Sequence, residues 1–196
     1  MKRLPIFGTF IVLAAVATMI GLGIWQLQRA EWKNGLLATY ATARDQPAIS
    51  YPAVPVEGDP PYFRRSSVQC LQVLSWRAVS GRNVNGESGW AHIAHCKTSG
   101  GEGPGAQIVA GWSRLSEDPE WNGGTVDGVI APDTQHIMRL VASEPVAGLE
   151  QSQPPSTEDI PNNHLAYAVQ WFLFAGIALI IYILALRLRN RAGSEA

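Results

Sequence analysis

Only two cysteines occur in the 196 residues, and Cys70 and Cys96 stand too far apart in sequence for a Cys-x-x-Cys redox pair or a Cys-x-x-Cys-His haem attachment site. No serine stands between glycines at the spacing of a nucleophile elbow, and Gly111-Trp112-Ser113-Arg114 lacks the second glycine. The glycine-rich stretch Gly100–Gly105 is followed by no Lys-Ser or Lys-Thr and by no helical pattern, so it reads as a hairpin loop rather than a phosphate cradle. Basic residues are scarce in the middle of the chain. Residues 30 to 163 carry nine Lys/Arg against fifteen Asp/Glu, a net of −6, which leaves no basic patch for nucleic acid. Two runs, Leu4–Trp25 and Leu165–Leu186, lack charged residues altogether.

Those two runs decide the class of the protein. The chain is 46% hydrophobic with a mean hydropathy near zero, values that an ordinary water-soluble domain shares. The hydrophobicity is concentrated at the ends. A run of 22 residues makes a helix of about 33 Å at ~1.5 Å per residue, enough to cross a bilayer core of ~30 Å. Lys2 and Arg3 precede the first run, and Arg187, Arg189 and Arg191 follow the second. The positive-inside rule puts both basic tails, 1–3 and 187–196, in the cytoplasm and the acidic middle outside it. Ala15-Val16-Ala17 resembles a signal-peptide cleavage site, and cleavage there is the rival reading, although apolar residues continue through Ile20, Leu22 and Ile24. The expected segments are a transmembrane helix over 4–25, a helical extension over 26–33 at the outer interface, and a second transmembrane helix over 164–186. Trp25 and Trp32, seven residues apart, share a helix face as interfacial anchors would.

Between the helices, residues 34–163 show short β-like runs: Phe63–Ala78, Trp90–Lys97, Gln107–Trp112, Gly124–Ile130 and Ile137–Ala142. Asn85-Gly86, Gly100–Gly105, Asn122-Gly123-Gly124 and Ala131-Pro132-Asp133 separate them as turns. The expectation is a mainly antiparallel β domain, a small barrel or a sandwich, outside the cytoplasm. Four prolines in residues 143–161 mark an extended strap back to the second helix.

Cys70 and Cys96 fall in two of these runs. A hairpin centred near Asn83 sets them opposite each other, and an exported domain would oxidise such a pair. A one-residue slip would instead leave two buried thiols, so both outcomes stay open. His92, His95 and Cys96 invite a metal reading, including an exported zinc enzyme. On a strand, however, His92 and Cys96 share one face while His95 points to the other.

His164 follows Asn162-Asn163, either of which could cap the second helix, and so lies in its first turn. The dipole there disfavours imidazolium and keeps a lone pair available to a metal. His164, Ala168, Trp171 and Ala175 fall on one face with Tyr167 adjoining. That face could border a flat apolar macrocycle. It could equally pack against Gly8, Ala15, Gly21 and Gly23 of the first helix.

Two segments add a resemblance. Gly23-Ile24-Trp25-Gln26-Leu27-Gln28-Arg29-Ala30-Glu31-Trp32-Lys33, and Pro161-Asn162-Asn163-His164-Leu165-Ala166-Tyr167-Ala168-Val169-Gln170-Trp171-Phe172, look like the two signature stretches of the surfeit locus protein 1 family. The central domain matches that pattern less closely: Ala110-Gly111-Trp112-Ser113-Arg114 stands where the family has Arg-Gly-Trp-Val-Pro. The resemblance implies a non-enzymatic assembly factor for haem-copper cytochrome c oxidase in the bacterial inner membrane. It implies haem a as a transient cofactor, with oxidase subunit I and haem a synthase as partners beside the lipid bilayer. His164 would be the iron ligand, Tyr167 and Trp171 would border the porphyrin, and Trp25, Gln26 and Arg29 would complete the site. Arg29 could pair with a propionate, with Glu31 or with a lipid phosphate. The alternative is a membrane-anchored scaffold that binds oxidase subunits through its β domain without touching haem.

Overall fold

The computed structural model describes residues 6–52, 54, 58, 60–98 and 103–191. Lys2 and Arg3, the expected start of the first helix at Leu4, the first half of the Gly100–Gly105 loop and the end of the basic tail lie outside these residues. The chain divides into two compact units. One holds the chain up to Leu36 and from Pro161 onward, and the other is Leu37–Ile160.

Two apolar helices flank a sheet domain, the layout the sequence predicted. Helix α1 spans Ile6–Ala43 and helix α2 spans His164–Arg191. Both are long and apolar enough to cross a membrane. Helix α1 runs ten residues past the expected extension. Those residues, Asn34–Ala43, are rich in leucine and alanine, which favour helix, and the helix gives way to a turn before Pro47. Near its end Tyr40 packs on Tyr62 and Phe63, at ring separations of 5.9 and 5.2 Å.

Seven strands form one mixed sheet: β1 Ile49–Ser50, β2 Arg65–Cys70, β3 Gln72–Arg82, β4 Ser88–Lys97, β5 Ala106–Ser113, β6 Gly124–Pro132 and β7 Met138–Ala142. Their order is β1-β2-β6-β7-β5-β4-β3. The pairs β1/β2 and β5/β7 are parallel and the others antiparallel. The sheet is curled but does not close into a barrel, since β1 and β3 are its edges. The run read as one strand, Phe63–Ala78, is two. It breaks at Leu71, where the chain leaves the β6 partner of β2 and joins the β4 partner of β3. The β3–β4 hairpin also turns later than the sequence suggested. Trp76 faces Ala94 and Val79 faces Ala91, which centres it at residue 85, where Gly86 takes a φ of +82° in the Asn85-Gly86 turn.

The inner face of the curl buries Val68, Cys70, Ala94, Cys96, Ile108, Ile130, Met138 and Leu140. Truncating Ile108 or Leu140 to alanine would cost about 2–5 kcal/mol. Cys70 and Cys96 are bonded, with their Cα atoms 5.3 Å apart. Their meeting does not come from facing each other in the hairpin, since Cys96 faces Val73 there. It comes from the break at Leu71, which sets the end of β2 against the end of β4, and Leu71 N–H donates to Lys97 O at 2.8 Å.

The strap over residues 143–160 is pinned rather than loose. Trp112 and Glu150 exchange backbone hydrogen bonds of 2.7 and 2.9 Å, and Asn83 bridges to Ser152. A Cβ at Gly111 would stand 2.5 Å from Leu149 Cβ, so glycine there admits the strap.

Candidate functional site

The surface between α1 and α2 follows a seven-residue repeat. On α1 the covered positions are Thr9, Val16, Gly23 and Ala30, with Val12, Met19, Gln26 and Lys33 beside them. On α2 they are Ala168, Ala175, Tyr182 and Arg189, with His164, Trp171 and Ala178. A period of seven keeps one seam facing a neighbouring helix, and small residues let backbones approach. The contacts run antiparallel: Thr9 with Tyr182, Gly23 with Phe172, Gln26 with His164, Lys33 with Pro161. Of the four small residues expected to face α2, Gly23 does so, whereas Ala15 and Gly21 point outward and nothing stands within 4 Å of a Cβ at Gly21.

His164 opens α2. The carbonyl of Asn163 accepts the helix-opening bond from Tyr167 N–H at 3.2 Å, while the Asn162 side chain turns aside and donates to Asn34 Oδ1 at 2.7 Å. The His164 ring places Nδ1 2.7 Å from Gln26 Oε1. With a carbonyl oxygen facing it, Nδ1 carries the proton, and Nε2 is then the lone-pair nitrogen. Gln26 thereby fixes the orientation of the imidazole ring.

Among the residues singled out in the sequence, His164, Gln26, Trp171 and the small Ala168 and Ala175 share the seam. Trp171 is half-covered and stands edge-on to Phe174 at 6.2 Å. Tyr167 adjoins and is exposed. Trp25 and Arg29 form a second group on another flank of α1. The Arg29 guanidinium lies 5.9 Å from the Trp25 ring centre and 5.3 Å from that of Trp32. It stacks on these indoles, the cation–π alternative to an ion pair with Glu31. An open depression lined by Gln28, Glu31, Trp32, Gly35 and Leu36 continues that flank. Asn34 and Lys33, which bind Asn162 and the Pro161 carbonyl, were not singled out in the sequence. Lys33 ends the first signature stretch and Asn34 follows it, and that position was their one signal.

The histidines of the sheet domain are dispersed. His92 is fully buried, with Nε2 2.8 Å from Ser113 Oγ and 3.1 Å from Leu115 O. His95 meets Pro104 O at 3.0 Å and its ring lies 6.3 Å from that of His136. Cys96 is committed to its disulfide and offers no thiolate. Among the described residues, no three His, Cys, Asp or Glu side chains gather as a metal site.

One charged cluster stands out in this domain. The Asp133 carboxylate is fully buried, 2.8 Å from Arg77 and 3.8 Å from Arg139. Burial alone would raise its pKa, but the Arg77 hydrogen bond and the N–H groups of Gln135 and His136 outweigh it, and the carboxyl sits below its ordinary range. Burial lowers the pKa of Arg139, against the pull of Asp133.

The sequence matches the profile of the SURF1 (surfeit locus protein 1) family over residues 13–176, a span that takes in most of α1, the whole sheet and the first half of α2. No curated protein matches the chain.

Proposed function

Because the chain belongs to the SURF1 family, an assembly-factor family associated with cytochrome oxidase, we propose that it assists insertion of haem a into subunit I of a haem-copper cytochrome c oxidase without being an enzyme. The observation that carries this reading is the 2.7 Å contact between His164 Nδ1 and Gln26 Oε1. A histidine oriented through one nitrogen, with the other bearing a lone pair, has the chemistry of an axial haem ligand. The residues present fit such a group on the ligand side. His164 would hold the iron through Nε2, and Trp171 and Tyr167 offer aromatic faces next to it. Gln26 holds the ring and its proton in place. Bound haem would supply only its own iron and propionates, since the protein's part is to hold it and release it.

The same reading sets the protein in the bacterial inner membrane with both termini cytoplasmic and the sheet domain periplasmic, in contact with subunit I, haem a synthase and lipid. A second reading, a scaffold that binds oxidase subunits through the sheet domain, draws on β3, an edge strand whose Leu74, together with neighbouring Leu71, is about half exposed.

The test is purification of the full chain from cells that co-express a haem a synthase. The haem reading expects a Soret band in the wild type and its loss in His164→Ala. A wild-type protein without the band leaves the scaffold reading.

A further inference from the structure

Arg44, which follows the end of α1, strands β2, β6 and β7, and the strap border an open pocket of about 290 Å³ in the sheet domain. Arg44 and Arg65 line it together with an apolar wall that includes Val129, Val141, Pro154 and Pro155. Arg44 donates through Nη2 to Pro155 O at 2.6 Å, and Arg65 reaches only Gln46 O at 3.5 Å. Arg64, beside them, donates to Pro47 O at 2.7 Å, and its buried Nε has no partner. Among the described residues, none of the three makes an ion pair with a carboxylate, although residues 30 to 163 carry a net charge of −6. Guanidinium forks match the geometry of carboxylates, and here they are satisfied only by neutral carbonyls. The walls are fixed: Gln151 donates to Ala142 O at 3.0 Å, and Gln153 N–H to Arg82 O at 2.8 Å.

We infer that this cavity is a binding site for a carboxylate carried on a short apolar body. The charge of the ligand would meet Arg44 and Arg65, and its apolar part the valine and proline wall. An inorganic anion would leave that wall in water. A polypeptide C-terminus ending in an apolar residue and a free branched-chain acid share the required chemistry, and a backbone amide distinguishes them.

The test is isothermal titration calorimetry on the full chain in a neutral maltoside detergent, with N-acetyl-leucine, N-acetyl-leucinamide, 4-methylpentanoate and inorganic phosphate as probes. N-acetyl-leucine should bind saturably, and its amide at least tenfold more weakly. Arg65→Gln, which gives up one long hydrogen bond, should weaken binding about tenfold with the thermal midpoint unchanged. Ser143→Trp, at an exposed position on the cavity, should block binding by filling it. Equal binding of 4-methylpentanoate would identify the free acid as sufficient, and tighter binding of N-acetyl-leucine the polypeptide terminus. The proposal is overturned if no carboxylate binds, if phosphate binds as well as N-acetyl-leucine does, or if both variants bind like the wild type.

Discussion

Gly23 of α1 has no space for a side chain, since a Cβ there would stand 2.7 Å from the Cε1 of Phe172 on α2. The neighbour is the far edge of a ring that can turn, and alanine is the better helix former by about 1 kcal/mol. Gly23→Ala should therefore leave the thermal midpoint of the full chain in detergent close to the wild type. Gly23→Leu overfills the seam and should cost about 1–3 kcal/mol, with a clear drop in midpoint. Equal midpoints for all three proteins would show that the helices are not pressed together at this point.

If haem binds at His164 as proposed, the Gln26–His164 contact predicts a graded series. Gln26→Glu would give Nδ1–H a charged acceptor, make the imidazole a stronger donor to iron and lower the midpoint potential of bound haem. Gln26→Leu should retain haem but loosen the ring, broadening the spectrum and raising the potential. A redox titration of haem-loaded protein checks both shifts. If neither variant moves the potential, Gln26 does not position the ligand.

Asp133 gives the sheet domain an acid sensitivity of definite sign. Its folded-state pKa is depressed, so its contribution is fully present above the ordinary carboxylate value of ~4 and is lost as pH falls through the folded value. Asp133→Asn would leave Arg77 and Arg139, with side chains 19% and 30% exposed, without their charged partner. A loss of about 3 kcal/mol at pH 7 is expected. Urea unfolding of wild type and variant at pH 7 and pH 3 should show that gap narrowing in acid, and a gap independent of pH would refute the assignment.

The disulfide joins residues 26 apart in sequence. By the loop-entropy relation its removal should cost about 3.5 kcal/mol. A paired Cys70→Ser, Cys96→Ser variant should unfold at lower denaturant than the oxidised wild type. The reduced wild type should match the variant. An oxidised protein that gains nothing over the reduced one would mean that packing at Leu71 alone holds the strands together.

Much of this architecture was readable in the residues. The two membrane-length helices were written in the absence of charge, and five strand regions in runs of β-branched and aromatic residues between Gly and Asn turns. The break at Leu71 carried no glycine or proline, so Phe63–Ala78 read as one strand, and the hairpin built on it was centred two residues too early, which is why Cys96 faces Val73 and not Cys70. The Asn85-Gly86 pair marks the true centre, whereas setting Cys70 opposite Cys96 needs a centre at Asn83 that the strands do not adopt. Strand β1, two residues long, has too little pattern to be seen. At the site, His164 and Gln26 were both named from their signature stretches, but their contact depends on how two helices rotate about their axes. Trp25, Arg29 and Trp32 stand at i, i+4 and i+7 of one helix, so their grouping, unlike the contact between the two helices, follows from the period of α1 alone.

The break at Leu71 also sets a schedule for synthesis. Strands β3, β4 and β5 can pair with one another as soon as each emerges. Strand β2 emerges before them yet pairs with β6, where Cys70 faces Gly124, 54 residues farther along the chain. Until then it presents an unsatisfied edge, met only by the two-residue β1. The strand pairing most distant in sequence within the sheet is therefore made by its earliest full strand, and a nascent chain stalled before Gly124 would carry that edge open to any strand it meets.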